Sequence, residues 1–203
     1  MTDSETVLVP GGRDVRATLD APDADACVVA CPPHPRMGGK RTDTRLAAVA
    51  DALAPDVATL RFDYGAWDEG RGELADARNA LGWARARFDA VALFGYSFGG
   101  CIALLAAARE CEDGTPPAAV AALAPASRLG EGLDAAAALG SVTCPGYVLY
   151  GARDTTAEWE PVVERARELG WTVEEASADH HFVGQAGTVG GSAAAFLAAE
   201  LGY

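Results

Sequence analysis

Lysine is almost missing from this chain. Lys40 is the single lysine among 16 basic residues, whereas 29 residues are acidic, and the formal net charge is −13. Proteins that bind nucleic acids or anionic membranes hold the phosphates with clustered lysine and arginine side chains. We therefore expect neither nucleic acid nor a membrane surface as a partner.

Long apolar runs are missing too. Half of the residues are hydrophobic, which is enough for a packed core, but no run approaches the roughly 20 residues that span a bilayer. The N-terminal segment MTDSETVLVP is acidic and lacks the basic and then apolar order of a signal peptide. The sequence therefore predicts a cytoplasmic protein with one domain over residues 1–203.

Cysteine pairs and zinc-type spacings are also lacking. The five cysteines form no Cys-x-x-Cys pair, and Cys27, Cys101 and Cys144 lie in or beside apolar segments. This pattern favours buried free thiols in a reducing compartment. None of the three histidines stands at zinc-ligand spacing from a cysteine, so we predict no metal site and no cofactor.

What the sequence does contain is an alternation of short apolar runs with segments of helical periodicity. Residues 26–31 (ACVVAC) are typical of a strand buried on both faces, whereas Leu46, Val49 and Leu53 recur at helical spacing until Pro55. Strands are predicted near residues 7–9, 15–19, 26–31, 57–62, 90–94, 118–123, 146–150 and 171–174, and helices near 41–54, 74–88, 98–109, 155–170 and 193–201.

This alternation predicts an α/β fold with a mostly parallel, twisted sheet and helices on both faces. The first two strands flank Pro10-Gly11-Gly12-Arg13-Asp14, a hairpin signal, so antiparallel strands are expected at one edge. Thr155-Thr156-Ala157-Glu158 matches a capping box and predicts the start of a helix.

Ser97 stands between glycines where a predicted strand passes into a predicted helix. Gly95-Tyr96-Ser97-Phe98-Gly99 matches Gly-x-Ser-x-Gly, the nucleophile elbow, in which small flanking residues permit a sharp turn that exposes the serine hydroxyl. The same turn aims the N–H of Phe98 at a developing oxyanion. We interpret Ser97 as a nucleophile rather than as part of a structural turn.

A serine nucleophile needs a histidine to take its proton and an acid to orient that histidine. His180 and His181 follow the last predicted strand, and both are candidates for the base. Asp154 follows a strand and a glycine turn and is the candidate for the acid. The chain order Ser, Asp, His is that of the α/β-hydrolase triad.

The loop after the third predicted strand, residues 32–39 (PPHPRMGG), is the expected source of a second oxyanion donor. Because Pro35 has no N–H, the donor is expected from Arg36 or Met37. His34 in this loop is open to two interpretations: a structural histidine bonded to its own backbone, or a residue that contacts substrate.

Two aromatic residues are further candidates to contact a substrate. Tyr96 is adjacent to the serine, and Trp67 follows the strand predicted to end at residue 62. Functional groups gather at the carboxyl ends of strands in parallel sheets. Packing within a loop is the competing interpretation for Trp67.

Five segments, taken together, resemble the small α/β-hydrolase superfamily members related to dienelactone hydrolases. Those proteins read H-P-H-P-x-x-G-G, R-F-N-F-R-G, G-x-S-x-G, G-x-x-D and D-H-F-F in this order. The corresponding segments here are Pro32–Gly39, Arg61–Tyr64, Gly95–Gly99, Gly151–Asp154 and Asp179–Phe182. The resemblance covers nearly the whole chain and implies an α/β-hydrolase fold.

The resemblance also implies a set of roles. Alignment on Asp179 and Gly184 places the family's histidine at His180, with His181 in place of an aromatic residue. Pro32 replaces the first histidine of the loop. Dienelactone hydrolases usually carry a cysteine nucleophile; Ser97 stands there instead, which points to general ester chemistry.

The expected activity is cleavage of an ester or related acyl bond in a small molecule through an acyl-enzyme. Only about twenty residues separate Leu123 from Gly146, where related proteins insert a cap domain, so we expect no cap and a shallow, open site. Acyl transfer or peptidase-like cleavage by the same residues is one alternative. A non-catalytic scaffold that retains the fold is the other.

The composition makes a prediction about salt. An acidic, lysine-poor, alanine-rich composition is typical of proteins from salt-loving organisms, because salt screens repulsion between surface charges. We expect the unfolding temperature of the purified protein to rise between dilute buffer and molar NaCl, as measured by circular dichroism. Equal stability in the two solutions would contradict this halophile interpretation.

Overall fold

The structure is a computed structural model that describes residues 3–13 and 15–203, so Asp14 of the predicted hairpin turn lies outside the described residues, as do Met1 and Thr2. The strands are β1 (Ser4–Val9), β2 (Val15–Asp20), β3 (Ala26–Cys31), β4 (Ala58–Phe62), β5 (Ala90–Tyr96), β6 (Val120–Leu123), β7 (Arg128–Gly130), β8 (Leu133–Asp134), β9 (Gly146–Gly151) and β10 (Thr172–Ala176). The helices are α1 (Thr44–Leu53), α2 (Arg71–Arg85), α3 (Phe98–Glu112), α4 (Ala135–Ala138), α5 (Glu160–Glu168) and α6 (Ala186–Leu201).

Eight strands form one mixed sheet in the order β1-β2-β4-β3-β5-β6-β9-β10. Every neighbouring pair from β4 to β10 is parallel. The β1–β2 and β2–β4 pairs are antiparallel and lie at one edge. The predicted fold, a mostly parallel sheet with an N-terminal antiparallel hairpin, is confirmed.

Helices cover both faces of this sheet, and the central strands are apolar for that reason. Along β3, Val28 and Ala30 pack in the layer under α1 and α6, whereas Val29 and Cys31 point into the layer under α2, α3 and α5. Successive residues of a strand face opposite sides, so the unbroken apolar run ACVVAC fills two cores at once. All six of its residues are buried.

The helix predicted to open at the Thr155–Glu158 capping box begins later, at Glu160. The reason is local competition for backbone N–H groups. The carboxylate of Asp154 accepts the N–H groups of Thr156 and Ala157 at 2.8 and 3.1 Å, which holds a turn instead of a helical start. The capping-box prediction is wrong.

Residues 124–145, between β6 and β9, contain no cap domain. They hold the two-stranded ribbon of β7 and β8, the single turn of α4 and a short 3-10 helix. Leu133, Ala135 and Leu139 of this segment are buried in the layer that contains α3. The segment therefore closes the core beside α3 and adds no independent layer over the sheet. No helix in the described part of the chain has the length and hydropathy needed to cross a bilayer.

A buried carboxylate holds the loop that enters α2. Glu73 is completely buried, and its two oxygens accept the N–H of Asp68 at 3.0 Å and the N–H of Gly70 at 2.8 Å. The N–H of Gly70, the N-cap of α2, has no partner within the helix, and the N–H of Asp68 belongs to the loop before it. The loop thus depends on one side chain for two hydrogen bonds.

We expect Glu73→Ala to lower the free energy of unfolding by about 2 kcal/mol, because two backbone N–H groups lose their acceptor. Urea denaturation followed by circular dichroism measures the change. Glu164→Ala is the matched control, since Glu164 is exposed on α5 and should change stability by less than about 0.5 kcal/mol. Equal effects of the two substitutions would show that the loop does not depend on Glu73.

Candidate active site

Ser97 occupies a single-residue turn between β5 and α3. Its backbone has φ 58° and ψ −118°, a region that residues with a side chain rarely adopt. The turn lies at the carboxyl end of a central parallel strand, where such sheets place functional groups. Ser97 itself is partly exposed, although residues 91–96 and 98–100 around it are buried.

The flanking glycines are required by close backbone contacts. A Cβ atom on Gly95 would overlap the carbonyl oxygen of Gly99, and one on Gly99 would overlap the carbonyl oxygen of Cys31 at the end of β3. Even the smallest side chain at either position would therefore push the turn or the neighbouring strand away. Glycine is required at positions 95 and 99 because the backbones of β3, β5 and α3 meet there.

Three predicted residues meet at this turn. The Nε2 atom of His180 lies 2.9 Å from the Oγ atom of Ser97, and its Nδ1 atom lies 2.7 Å from Oδ2 of Asp154. Asp154 and His180 are both buried. Hydroxyl, imidazole and carboxylate thus form one chain of hydrogen bonds, the arrangement that can move a proton off a serine.

Asp154 is fixed by the turn that follows β9. Its Oδ1 atom accepts the N–H groups of Thr156 and Ala157, which leaves Oδ2 for His180. The indole N–H of Trp159 donates to the Asp154 carbonyl oxygen at 3.2 Å. Because both oxygens have defined partners, the carboxylate presents one fixed edge to the imidazole.

The two adjacent histidines differ in their contacts. His180 reaches Ser97, whereas His181 is exposed, packs edge-on against His180 with ring centroids 5.2 Å apart, and donates its backbone N–H to Asp179. The residues alone left both open as partners of Ser97, and the family resemblance favoured His180. In the structure the contact is made by His180.

Tyr96 contacts the histidine segment through its hydroxyl. The side chain is 2% exposed, and its O–H donates to the carbonyl oxygen of His180 at 3.0 Å. The guanidinium of Arg45 lies over the ring at 4.4 Å from the centroid. Although Tyr96 borders the cleft at Ser97, its polar atom is engaged inside the protein and ties β5 to the histidine segment.

The predicted oxyanion loop forms a 3-10 helix over Pro35–Met37. The N–H of Arg36 donates to Nδ1 of His34 at 3.2 Å, and the N–H of Met37 donates to the carbonyl oxygen of His34 at 3.0 Å. Both N–H groups expected to complete the oxyanion hole are therefore engaged within the loop. Neither is free in this conformation to meet an oxyanion.

The N–H of Phe98 is in a different situation. Phe98 is the first residue of α3, where backbone N–H groups have no partner within the helix. Across the described ranges its N–H meets no acceptor. It lies next to the serine, at the positive end of the helix dipole, and is available to an anion.

The ring of His34, in the loop after β3, packs in an aromatic cluster. The ring of His34 stacks on Trp67 with centroids 4.6 Å apart and lies 4.9 Å from the ring of Phe98. Tyr64 packs edge-on against Phe98 at 5.7 Å. Trp67, predicted to contact substrate, stacks on His34 and is not among the residues that line the cleft at Ser97.

The cleft over Ser97 is small, with a volume of about 200 Å³. Its walls include His34, Met37, Arg45, Thr156, His180 and His181. Arg45 and Thr156 were not predicted. Arg45 lies in the first turn of α1, and the direct succession of the oxyanion loop and α1 is the sequence signal that places it at the same edge of the sheet.

The structure resembles solved structures of serine hydrolases. An α/β serine hydrolase homologue from Coxiella burnetii is 25% identical over 97% of this chain and 98% of that chain, with a TM-score of 0.78. An α/β serine hydrolase without a lid from Xanthomonas campestris is 22% identical over 99% and 94%, with a TM-score of 0.76. The chain has the α/β-hydrolase fold.

A dienelactone hydrolase from Anabaena variabilis has the same fold, with 22% identity over 97% of each chain and a TM-score of 0.75. No protein-family model and no curated protein sequence matches the chain. The α/β-hydrolase fold expected from the five sequence segments is thus confirmed by the structure. At these sequence identities the similarity is evident mainly in the fold.

The backbone contact at Gly99 predicts that alanine will affect stability differently at Gly99 and at Gly82. We expect Gly99→Ala to lower the free energy of unfolding by about 3 kcal/mol or more, because the added methyl group meets the backbone of Cys31. Gly82→Ala is the control: Gly82 lies within α2 with open space around it, so the change should be neutral or stabilise by up to about 1 kcal/mol. Urea denaturation of both variants tests the contrast, and a neutral Gly99→Ala would refute the crowding argument.

Proposed function

We propose that the protein is a serine hydrolase that cleaves an ester or a related acyl bond of a small molecule. The observation that carries the proposal is the chain of hydrogen bonds from Ser97 through His180 to Asp154, placed on a strained turn at a strand end. No structural role requires a buried imidazole between a hydroxyl and a carboxylate, whereas nucleophilic catalysis does.

In the first step, the Oγ atom of Ser97 attacks the acyl carbon while Nε2 of His180 takes its proton. Asp154 keeps the proton of the imidazole on Nδ1 and stabilises the imidazolium that forms. His180 then gives the proton to the leaving oxygen, and the acyl-enzyme remains. Water, deprotonated by His180, releases the acid and restores the serine.

The oxyanion of the tetrahedral intermediate needs two donors. The free N–H of Phe98 is the first. For the second, the loop offers few choices: Pro32, Pro33 and Pro35 have no N–H, and the N–H groups of Arg36 and Met37 are engaged. Elimination among residues 32–37 leaves the backbone N–H of His34, which we assign as the second donor.

The substrate is a small or well-exposed acyl group. A cleft of about 200 Å³ without a cap holds a short chain and gives no enclosed tunnel for a long lipid chain. Met37, 81% exposed at its rim, offers apolar surface to such a chain. Besides the substrate and one water molecule, the mechanism uses only the side chains and backbone groups of this protein.

A fluorophosphonate probe tests the nucleophile directly. We expect the folded protein to be labelled and Ser97→Ala to remain unlabelled, because the probe forms a covalent bond with an activated serine. Mass spectrometry of the labelled peptide measures the outcome in salt-stabilised samples. An unlabelled wild-type protein with an intact circular dichroism spectrum would contradict the enzyme proposal and favour a non-catalytic scaffold.

The adjacent histidines provide a matched pair. His180→Ala should reduce hydrolysis of p-nitrophenyl acetate by about 10³-fold or more, because the serine loses its base. His181→Ala should leave the rate within about tenfold, since His181 does not contact Ser97. The same assay in the presence of competing alcohols separates hydrolysis from acyl transfer. A larger loss in the His181 variant would reverse the assignment.

A further inference from the structure

The imidazole of His34 has one engaged nitrogen and one without a partner. Nδ1 accepts the N–H of Arg36, and a ring nitrogen that accepts a hydrogen bond carries no proton. The proton of the neutral ring is therefore on Nε2. Among the residues that the structure describes, no acceptor meets this Nε2–H, and the atom is not enclosed.

The ring is held in the neutral form. Burial lowers the pKa of His34, and the nearby charge of Arg36 lowers it further, against weaker opposing effects of Glu73 and of the backbone of His34 itself. A neutral ring donates from one nitrogen and accepts at the other. The hydrogen bond from Arg36 therefore fixes Nδ1 as the acceptor and Nε2 as the donor. His34 thus presents a hydrogen-bond donor without a charge.

The donor is also fixed in space. Trp67 stacks on one face of the ring and Phe98 packs beside it, while prolines precede and follow His34 in the chain. A side chain held this way loses little entropy when it binds a ligand. His34 borders the same cleft as Ser97, so a substrate bound there is the ligand nearest to this free donor.

The position of His180 decides which part of a substrate His34 meets. The leaving oxygen must lie within reach of Nε2 of His180, which donates the proton to it. The leaving group therefore extends along the His180 and His181 side of the cleft. We place the acyl group against the other walls of the cleft, which include His34 and Met37.

We propose that the Nε2–H of His34 binds an oxygen atom of the acyl group close to the scissile carbonyl. The preferred substrates are then esters of short acids that carry an ether, hydroxyl or keto oxygen, rather than esters of plain alkanoic acids. This inference rests on the proposed esterase function and adds the substrate class to it. A donor without a substrate acceptor would lose its hydrogen bond to water on binding, which disfavours plain acyl chains.

The test uses two esters of the same shape, p-nitrophenyl methoxyacetate and p-nitrophenyl butyrate, which differ by one oxygen in place of one CH₂ group. The quantity measured is the ratio of their kcat/KM values in each protein. A general loss of activity cancels in this ratio, and the intrinsic reactivity of the two esters cancels when proteins are compared.

Three substitutions separate the two nitrogens of His34. His34→Asn retains an acceptor for the Arg36 N–H but has no atom at the Nε2 position, and His34→Phe retains the stack on Trp67 alone. His34→Gln places an amide donor near the Nε2 position. We expect the ratio to fall about fivefold in the Asn and Phe variants, the effect of one neutral hydrogen bond, and to be largely retained in the Gln variant.

Equal ratios in all four proteins would overturn the inference and leave the esterase proposal intact. A second pair, 2-methoxyethyl and butyl butyrate, carries the oxygen on the alcohol side. If only this pair responds to His34→Asn, the assignment of His34 to the acyl group is wrong. If the wild-type protein hydrolyses none of the four esters, the proposed function fails and the inference fails with it.

Discussion

A contact between two backbone segments at the Ser97 turn is the constraint on which the rest of the site depends. Gly95, Gly99 and the carbonyl of Cys31 approach so closely that no side chain fits between them. This contact brings the end of β3 against the start of α3. The loop that leaves β3 is consequently held next to Ser97 and Phe98.

The remaining groups reach that volume from strands further along the sheet. Asp154 follows β9 and His180 follows β10, and parallel strands end at the same edge, so two residues 26 positions apart meet the serine without long connections. Tyr96 adds a hydrogen bond that the strand order alone does not provide. Its O–H donates to the carbonyl oxygen of His180. His180 is thus fixed at its backbone as well as at both ring nitrogens.

The parts of the fold and site that the sequence predicted are those set by short-range patterns. The unbroken run ACVVAC, the turn at Gly95–Gly99 and the glycine turn before Asp154 each carry their own signal, so the parallel sheet and the positions of Ser97 and Asp154 could be inferred. The choice between His180 and His181 needs the direction of a side chain, which residues alone do not give.

Backbone N–H groups with two possible acceptors limited what the sequence could predict. Thr155–Glu158 matched a capping box, but Asp154 took the N–H groups of Thr156 and Ala157. Arg36 and Met37 were predicted to face an oxyanion, but His34 took both of their N–H groups. Sequence patterns identify which groups need partners, and the tertiary arrangement decides which partner is nearest.

The three prolines of the loop after β3 have a thermodynamic consequence. Proline fixes its own φ angle and restricts the preceding residue, so Pro32, Pro33 and Pro35 remove most alternative conformations of this loop already in the unfolded chain. Little conformational entropy of the loop is then left to lose on folding. Its shape beside Ser97 is therefore largely set by the chain itself.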